Sequence, residues 1–122
     1  MKAENAYASF EIKEGVLFFI YKEGIDIDLA TARKIVSFRL NYQKGKKYPV
    51  LCNVNGIRSI DVNARRFLAT EGSVLIKAVA LVSDTPLSLI LSEIFIKGNS
   101  PTVPARVCIN EKEGMDYLSE FL

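Results

Sequence analysis

Residues 50–68 combine an apolar run, a polar turn and the start of a helix. Val50 and Leu51 begin the apolar run, the Asn-Val-Asn-Gly segment at residues 53–56 is typical of a turn, and Asp61 can cap a helix. A strand that leads through a turn into a helix is the repeating unit of α/β folds. Ligands and partners of such folds bind beyond the carboxyl ends of the strands, near helix N-termini. The segment therefore indicates both a fold class and the place of a binding site.

The same alternation of strand and helix patterns runs along the whole chain. Strand patterns begin near residues 8, 16, 48, 77 and 104, and helical patterns begin near Asp28, Asp61, Thr85 and Asn110. The resulting order, β-β-α-β-α-β-α-β-α, predicts a single-domain α/β protein over residues 1–122. Its sheet is expected to be mostly parallel, with one antiparallel edge strand and flanking helices. Residues 1–6 are expected to be disordered.

The chemistry available to the chain is narrow. It has no His and only two Cys, Cys52 and Cys108, which lie in apolar runs where Cys acts as a small hydrophobic residue. We therefore predict no metal site and no cofactor. An enzyme without His would rely on Asp, Glu, Lys, Tyr or Cys, and no spacing singles out such a pair. The sequence thus predicts no catalytic residue and a protein that is not an enzyme.

Charge and hydropathy exclude two further classes of partner. The 16 basic and 14 acidic residues give a net charge of +2 and are spread along the chain, whereas nucleic-acid binding uses a concentrated basic face. The lysines of residues 44–47 are typical of a solvated turn. No apolar run approaches the ~20 residues that span a bilayer, and the first residues lack the apolar centre of a signal peptide. We therefore expect a cytoplasmic protein that binds no nucleic acid and crosses no membrane.

The element order and the turn at residues 60–64 together resemble the STAS domain of sulfate transporters and anti-sigma-factor antagonists. The resemblance is closer to the SpoIIAA-like bacterial proteins of uncharacterised function. It extends over nearly the whole chain and includes Glu14-Gly15, Tyr48-Pro49-Val50-Leu51, Ala78-Val79-Ala80-Leu81-Val82 and Asn110-Glu111-Lys112-Glu113. It implies their fold and a regulatory or protein-interaction module in a bacterium.

The turn itself departs from that of the anti-sigma-factor antagonists. They carry Asp-Ser-Ser/Thr-Gly there, and a kinase phosphorylates the first Ser. Asp61 matches the Asp, but Val62 stands at the phosphoacceptor position, followed by Asn63 and Ala64. Because Val62 has no hydroxyl group, phosphate cannot be added at that position. The resemblance then implies a docking scaffold for an unidentified protein partner, without this switch.

Polar and basic residues surround the start of the Asp61 helix. A helix N-terminus carries about half a positive charge, so basic groups in its first turn favour a nearby anion. The candidate loop for binding a partner or an anion comprises Arg58, Ser59, Asp61, Asn63, Arg65 and Arg66. The alternative interpretation is that Asp61 caps the helix and pairs with one arginine while the other arginines are solvated.

The helix near residues 86–97 supplies a second candidate surface. Its projection turns five apolar residues toward the sheet, namely Leu87, Ile90, Leu91, Ile94 and Phe95. Leu89 and Ile96 fall outside this set and are either ordinary exposed residues or the centre of an association surface. In the second case we expect a homodimer. The apolar excess on the first and third helices would also suit a carrier of a small apolar or lipid-like ligand, which is the alternative function.

Overall fold

The structure is a computed structural model that describes residues 2–122. Within that range the strands are, in chain order, β1 (Lys2–Glu4), β2 (Ala8–Lys13), β3 (Val16–Tyr21), β4 (Ile25–Ile27), β5 (Tyr48–Asn53), β6 (Ile57–Ile60), β7 (Ile76–Val82) and β8 (Ala105–Cys108). The helices are α1 (Leu29–Gln43), α2 (Val62–Ala69), α3 (Pro86–Asn99) and α4 (Glu111–Leu118). Short 3-10 helices follow α2 at Glu71–Ser73 and α4 at Ser119–Phe121. In the described part of the chain, no helix has the length and apolar character needed to cross a membrane.

The main sheet has six strands in the order β1-β2-β3-β5-β7-β8. β2 runs antiparallel to both β1 and β3, whereas β3, β5, β7 and β8 run parallel to one another. The predicted α/β fold with a mostly parallel sheet is therefore confirmed. The single antiparallel strand is not at the edge, however, because β1 pairs along its outer side.

The N-terminal segment also differs from the expectation of disorder. Residues 2–4 form β1, with Ala3 opposite Phe10, while residue 1 lies outside the described residues. The side chain of Asn5 accepts hydrogen bonds from the backbone N–H groups of Tyr7 and Ala8, at 2.7 and 2.9 Å. These two bonds hold the turn that returns the chain into β2, so a three-residue strand forms without any apolar periodicity of its own.

A second, two-stranded parallel sheet of β4 and β6 was not foreseen from the sequence. It extends the chain beyond the carboxyl ends of β3 and β5, before α1 and α2 begin. The backbone N–H of Ile25 donates to the carbonyl of Gly56 at 3.1 Å, and that of Asp61 donates to Ile27 at 3.0 Å. The small sheet thus fixes the start of α2 relative to the start of α1.

The two faces of the main sheet pack into separate cores. Phe19, Val50 and Leu81 point to one face, where α1, α2 and α3 cover them. Alternate residues such as Leu51 point to the opposite face, which α4 covers with its buried Leu118. Strand residues alternate between faces, so the continuous apolar runs in the sequence reflect burial on both sides.

All four predicted helix starts carry side-chain caps. The caps, each with the residue whose backbone N–H it accepts, are Asp28 with Thr31, Asp61 with Ala64, Thr85 with Ser88, and Asn110 with Glu113. Such a bond satisfies one of the free N–H groups in the first turn of a helix. α2, α3 and α4 each follow a parallel strand, so their N-termini lie together at the carboxyl edge of the strands.

Candidate functional site

Asp61 acts as the cap of α2. Its carboxylate accepts a hydrogen bond from the backbone N–H of Ala64 at 2.8 Å. The prediction that Asp61 caps the helix is therefore confirmed. Asp61 forms no ion pair within residues 2–122, so the pairing with one arginine that belonged to the alternative interpretation is absent.

Arg58 and Ser59 bind a different carboxylate, that of Asp26 on β4. Arg58 donates to it through Nε at 3.0 Å and through a second guanidinium nitrogen, and the Ser59 hydroxyl donates at 2.6 Å. The hydrogen bond from Arg58, followed by that from Ser59, lowers the pKa of Asp26 to about 2. Arg58 and Ser59 are thus directed toward Asp26 on β4 and away from the start of α2.

The two arginines of α2 point in different directions, and Arg66 belongs to the last turn of the helix, whereas the sequence placed both in the first. Arg65 folds inward: one terminal guanidinium nitrogen donates to the Ile60 carbonyl at 3.0 Å, and its buried Nε has no hydrogen-bond partner in the part of the chain that the structure describes. Arg66 is exposed and makes no ion pair with any residue that the structure describes. Asn63 is exposed as well, next to Val62, which is 46% exposed. The predicted six-residue loop therefore does not form one cluster. Of its members, Asn63 and Arg66 are exposed without an ion pair in residues 2–122, and Val62 is exposed beside them.

Helix α3 turns its serines toward the sheet. Ser88 and Ser92 are buried, while Leu87, Ile90 and Ile94 are 47%, 58% and 41% exposed. The predicted inward orientation is therefore wrong for these three apolar residues, although Leu91 and Phe95 do pack against the main core.

A hydroxyl network explains this orientation of α3. The Ser88 hydroxyl lies 2.6 Å from that of Ser83 at the end of β7 and donates to the side-chain carbonyl of Asn55 at 2.9 Å. The Ser88 backbone N–H also donates to the Thr85 cap at 3.2 Å. These bonds direct Ser88 inward and fix the rotation of the first helical turn, and the three apolar residues then face outward.

The predicted association surface changes accordingly. Leu89 is exposed, but Ile96 packs against the main core, so these two residues do not form an exposed pair and the prediction is wrong for Ile96. Leu87, Ile90 and Ile94 have the spacing of one helix face and are all exposed. We call these three residues the α3 apolar face. The helical periodicity of the sequence places these three residues on one side of α3, and the prediction that this side faces the core is wrong.

A cavity of about 120 Å³, partly open to solvent, lies between the main sheet and helices α1, α2 and α3. Its wall is mostly apolar, and the polar or titratable side chains in it are Tyr21, Arg39, Cys52, Arg65, Ser73 and Ser92. Burial raises the pKa of Cys52 to about 12, so its thiol is a poor nucleophile near neutral pH. Among the described residues, no group of three His, Cys, Asp or Glu side chains could hold a metal ion.

Arg39 is the most unusual residue of the cavity wall. It is 3% exposed, and its guanidinium donates to the side-chain carbonyl of Gln43 and, at 3.0 Å, to the backbone carbonyl of Gly72. Burial lowers its pKa to about 10, which leaves it charged at neutral pH. Sequence reasoning missed Arg39. Its spacing of four and seven residues from the inward-facing Ile35 and Ala32 is the signal that could have found it.

Comparison with known proteins supports the fold. A family model described as "Domain of unknown function (DUF7793)" matches residues 10–122. A search of curated proteins finds no match. A structure of an uncharacterised protein from Shewanella loihica PV-4, of the DUF3478 family and with a SpoIIAA-like fold, is similar with a TM-score of 0.63 and 10% identity, over 95% of this chain and 98% of that one.

A second similar structure is that of a serine-to-glutamate variant of RsbS from Moorella thermoacetica, with a TM-score of 0.62 and 14% identity, over 92% of this chain and 94% of that one. At such low identity the two likenesses concern the fold alone. They confirm the SpoIIAA-like, STAS-type fold that the sequence resemblance implied.

Proposed function

The chain belongs to the DUF7793 family, and we propose that it is a nonenzymatic regulatory module that binds another protein at the start of α2. The SpoIIAA-like fold supports this proposal, since the resemblance to anti-sigma-factor antagonists implies protein binding at this turn. In keeping with that resemblance, the proposed setting is the bacterial cytoplasm.

The observation that carries the proposal is the exposed N-terminal half of α2. Its first turn presents the apolar side chain of Val62 and the amide of Asn63 to solvent, and Arg66 adds a charge one turn later. The cap by Asp61 and the hydrogen bond from its N–H to Ile27 hold this turn in place. A rigid turn loses little conformational entropy on binding. The chemistry of the turn suits a partner surface that offers an apolar contact beside a carboxylate.

The proposed module lacks a phosphorylation switch at this turn. Val62 has no hydroxyl group, and the nearby Ser59 hydroxyl is engaged with Asp26 at 2.6 Å. Binding would then depend on the concentrations of the partner and of this protein. It would not depend on a kinase acting at this position.

Affinity capture from the native host tests the docking surface. The wild-type protein is compared with Val62→Asp, which places a negative charge opposite the proposed partner carboxylate, and with Lys44→Ala, an exposed control at the far end of α1. We expect a protein that is captured by the wild type and by Lys44→Ala but lost with Val62→Asp. Equal capture by Val62→Asp, with its circular dichroism unchanged, would refute the docking site.

The proposal also includes a homodimer formed through the α3 apolar face. Glu93 and Lys97 flank this face and neutralise each other, with Nζ and Oε2 2.8 Å apart. The face is therefore apolar without a net charge beside it, and a second copy of the same face would complement it without repulsion.

The cavity favours a second candidate function, a carrier of a small apolar ligand. Its wall is largely apolar, and it lies between the three helices and the sheet, where the carrier hypothesis expects a ligand. Native mass spectrometry of freshly purified protein tests this function. A carrier would retain an adduct that is released on denaturation, whereas a bare protein mass would count against it.

A further inference from the structure

Arg39 places a positive charge in an apolar environment. Within residues 2–122, its guanidinium is held only by the neutral carbonyl groups of Gln43 and Gly72 and takes part in no ion pair. Of the described residues that line the cavity, none is Asp or Glu. Buried charges in proteins are normally paired with an opposite charge, because an unpaired charge is costly to remove from water.

Two further polar groups in the same wall lack partners. Arg65 Nε and Ser92 Oγ are buried without a hydrogen-bond partner among residues 2–122, and Ser92 is only 3% exposed. Both residues line the cavity together with Arg39. The two guanidinium groups can only donate hydrogen bonds, and the serine hydroxyl can also donate. The cavity wall therefore holds hydrogen-bond donors that lack an acceptor.

We propose that this cavity binds a compact apolar molecule that carries one carboxylate group. The apolar wall takes up the body of the ligand, and the carboxylate lies against the donors of Arg39, Arg65 and Ser92. Arginine suits this role because its planar guanidinium matches a carboxylate. The inference deepens the carrier function by naming the class of ligand, and it does not depend on the docking surface of α2.

The size of the cavity limits the ligand. An apolar cavity of about 150 Å³ binds benzene, so a volume of about 120 Å³ accommodates a ligand body close to one aromatic ring. Benzoate is the simplest molecule with this shape and charge. Inorganic phosphate shares the charge but leaves the apolar wall uncovered, and is expected to bind less well.

Titration of the full chain with matched probes, followed by NMR, tests the inference. Benzoate, benzyl alcohol and benzylammonium share one ring and differ in charge. We expect benzoate to bind at least about tenfold more tightly than benzyl alcohol, benzylammonium not to bind, and shifts to centre on Cys52 and Ser92. Inorganic phosphate, added alone, measures how tightly the cavity binds an anion that has no apolar group.

Two substitutions in the cavity wall, with one exposed control, test where benzoate binds. Arg39→Met is expected to weaken benzoate binding about tenfold and to leave benzyl alcohol unchanged, whereas Arg106→Met, an exposed control on β8, changes neither. Because Arg39→Met leaves Gln43 and Gly72 without their donor, its folding is checked by circular dichroism. Ser92→Leu, which fills the cavity and removes the hydroxyl, is expected to abolish benzoate binding even if Arg39→Met does not fold.

Each remaining outcome has a definite meaning. Equal affinities for benzoate and benzyl alcohol would overturn the charge preference while leaving an apolar carrier intact. Tighter binding of phosphate than of benzoate would overturn the requirement for an apolar body. Binding of benzoate to folded Ser92→Leu would place the ligand elsewhere and refute the site, and failure of all three ring probes to bind would refute both the inference and the carrier function.

Discussion

At the scale of single residues, Gly56 shows how closely the two sheets meet. A Cβ atom at this position would lie 2.2 Å from the backbone carbonyl oxygen of Lys22 and 2.7 Å from that of Tyr21. No side-chain rotation can relieve contacts with backbone atoms. Gly56 is therefore required for space where the segment after β3 crosses the turn between β5 and β6.

We expect Gly56→Ala to lower the free energy of unfolding by about 2 kcal/mol or more, because the backbone must shift to admit the methyl group. Urea denaturation measures the change. Gly98→Ala is the matched control, since its Cβ would meet only Ile94 at 4.0 Å and alanine favours the helix. Equal unfolding midpoints for the two variants would contradict the close approach at Gly56.

Arg39 marks the limit of residue-level prediction from this sequence. The Asp61 cap followed from residue type and position alone, whereas a buried arginine on α1 depends on contacts with Gln43 and Gly72. The pairing of Arg58 with Asp26 could not be predicted either, because Asp26 lies on β4, and a strand of three residues gives no recognisable sequence pattern. Pairings between distant short segments are set by the tertiary structure.

At the scale of elements, α3 is the helix whose orientation toward the core is predicted incorrectly from its sequence. Periodicity assigned its most apolar side to the core, the usual outcome for a helix on a sheet. Here the contacts of Ser88 with Ser83 and Asn55 determine the rotation of the helix. Polar bonds at the N-terminus thus outweigh part of the apolar preference, and the small serine side chains face the sheet.

The orientation of α3 predicts different effects for two sets of aspartate substitutions. Ile90→Asp with Ile94→Asp is expected to leave unfolding nearly unchanged and to convert the proposed homodimer into a monomer. Ile96→Asp is expected to cost about 2 kcal/mol or more, because Ile96 packs against the core. Sedimentation velocity and urea denaturation give the two readouts. Unchanged sedimentation of the double variant would exclude this dimer, and equal destabilisation by both sets would contradict the assigned orientation.

At the scale of the whole molecule, the alternation of strands and helices was sufficient to predict the class of fold. Parallel neighbours joined by helices follow from the order of the elements and from right-handed connections. β1, β4 and β6 were missed because these strands of three or four residues lack the continuous apolar run that marks the equally short β8. The cavity was missed as a defined site because its wall combines four strands with three helices.

The position of β1 leads to a prediction about the whole sheet. Among the described strands β1 pairs only with β2, and its Glu4 forms an exposed ion pair with Lys22. Deleting residues 2–6 is therefore expected to leave the fold intact by circular dichroism but to expose the outer edge of β2. Size-exclusion chromatography should then show increased self-association. Loss of the native spectrum would instead show that β1 is needed for folding.

The two-sided sheet also separates the chain's thiols. Cys52 faces the helices α1 to α3, and Cys108 lies beneath α4 on the other side. Oxidation cannot join them while the sheet stands between them. A cross-linked form that migrates faster on a non-reducing gel would therefore consist of molecules trapped after losing their native topology, and the amount of that band would measure misfolding of this chain.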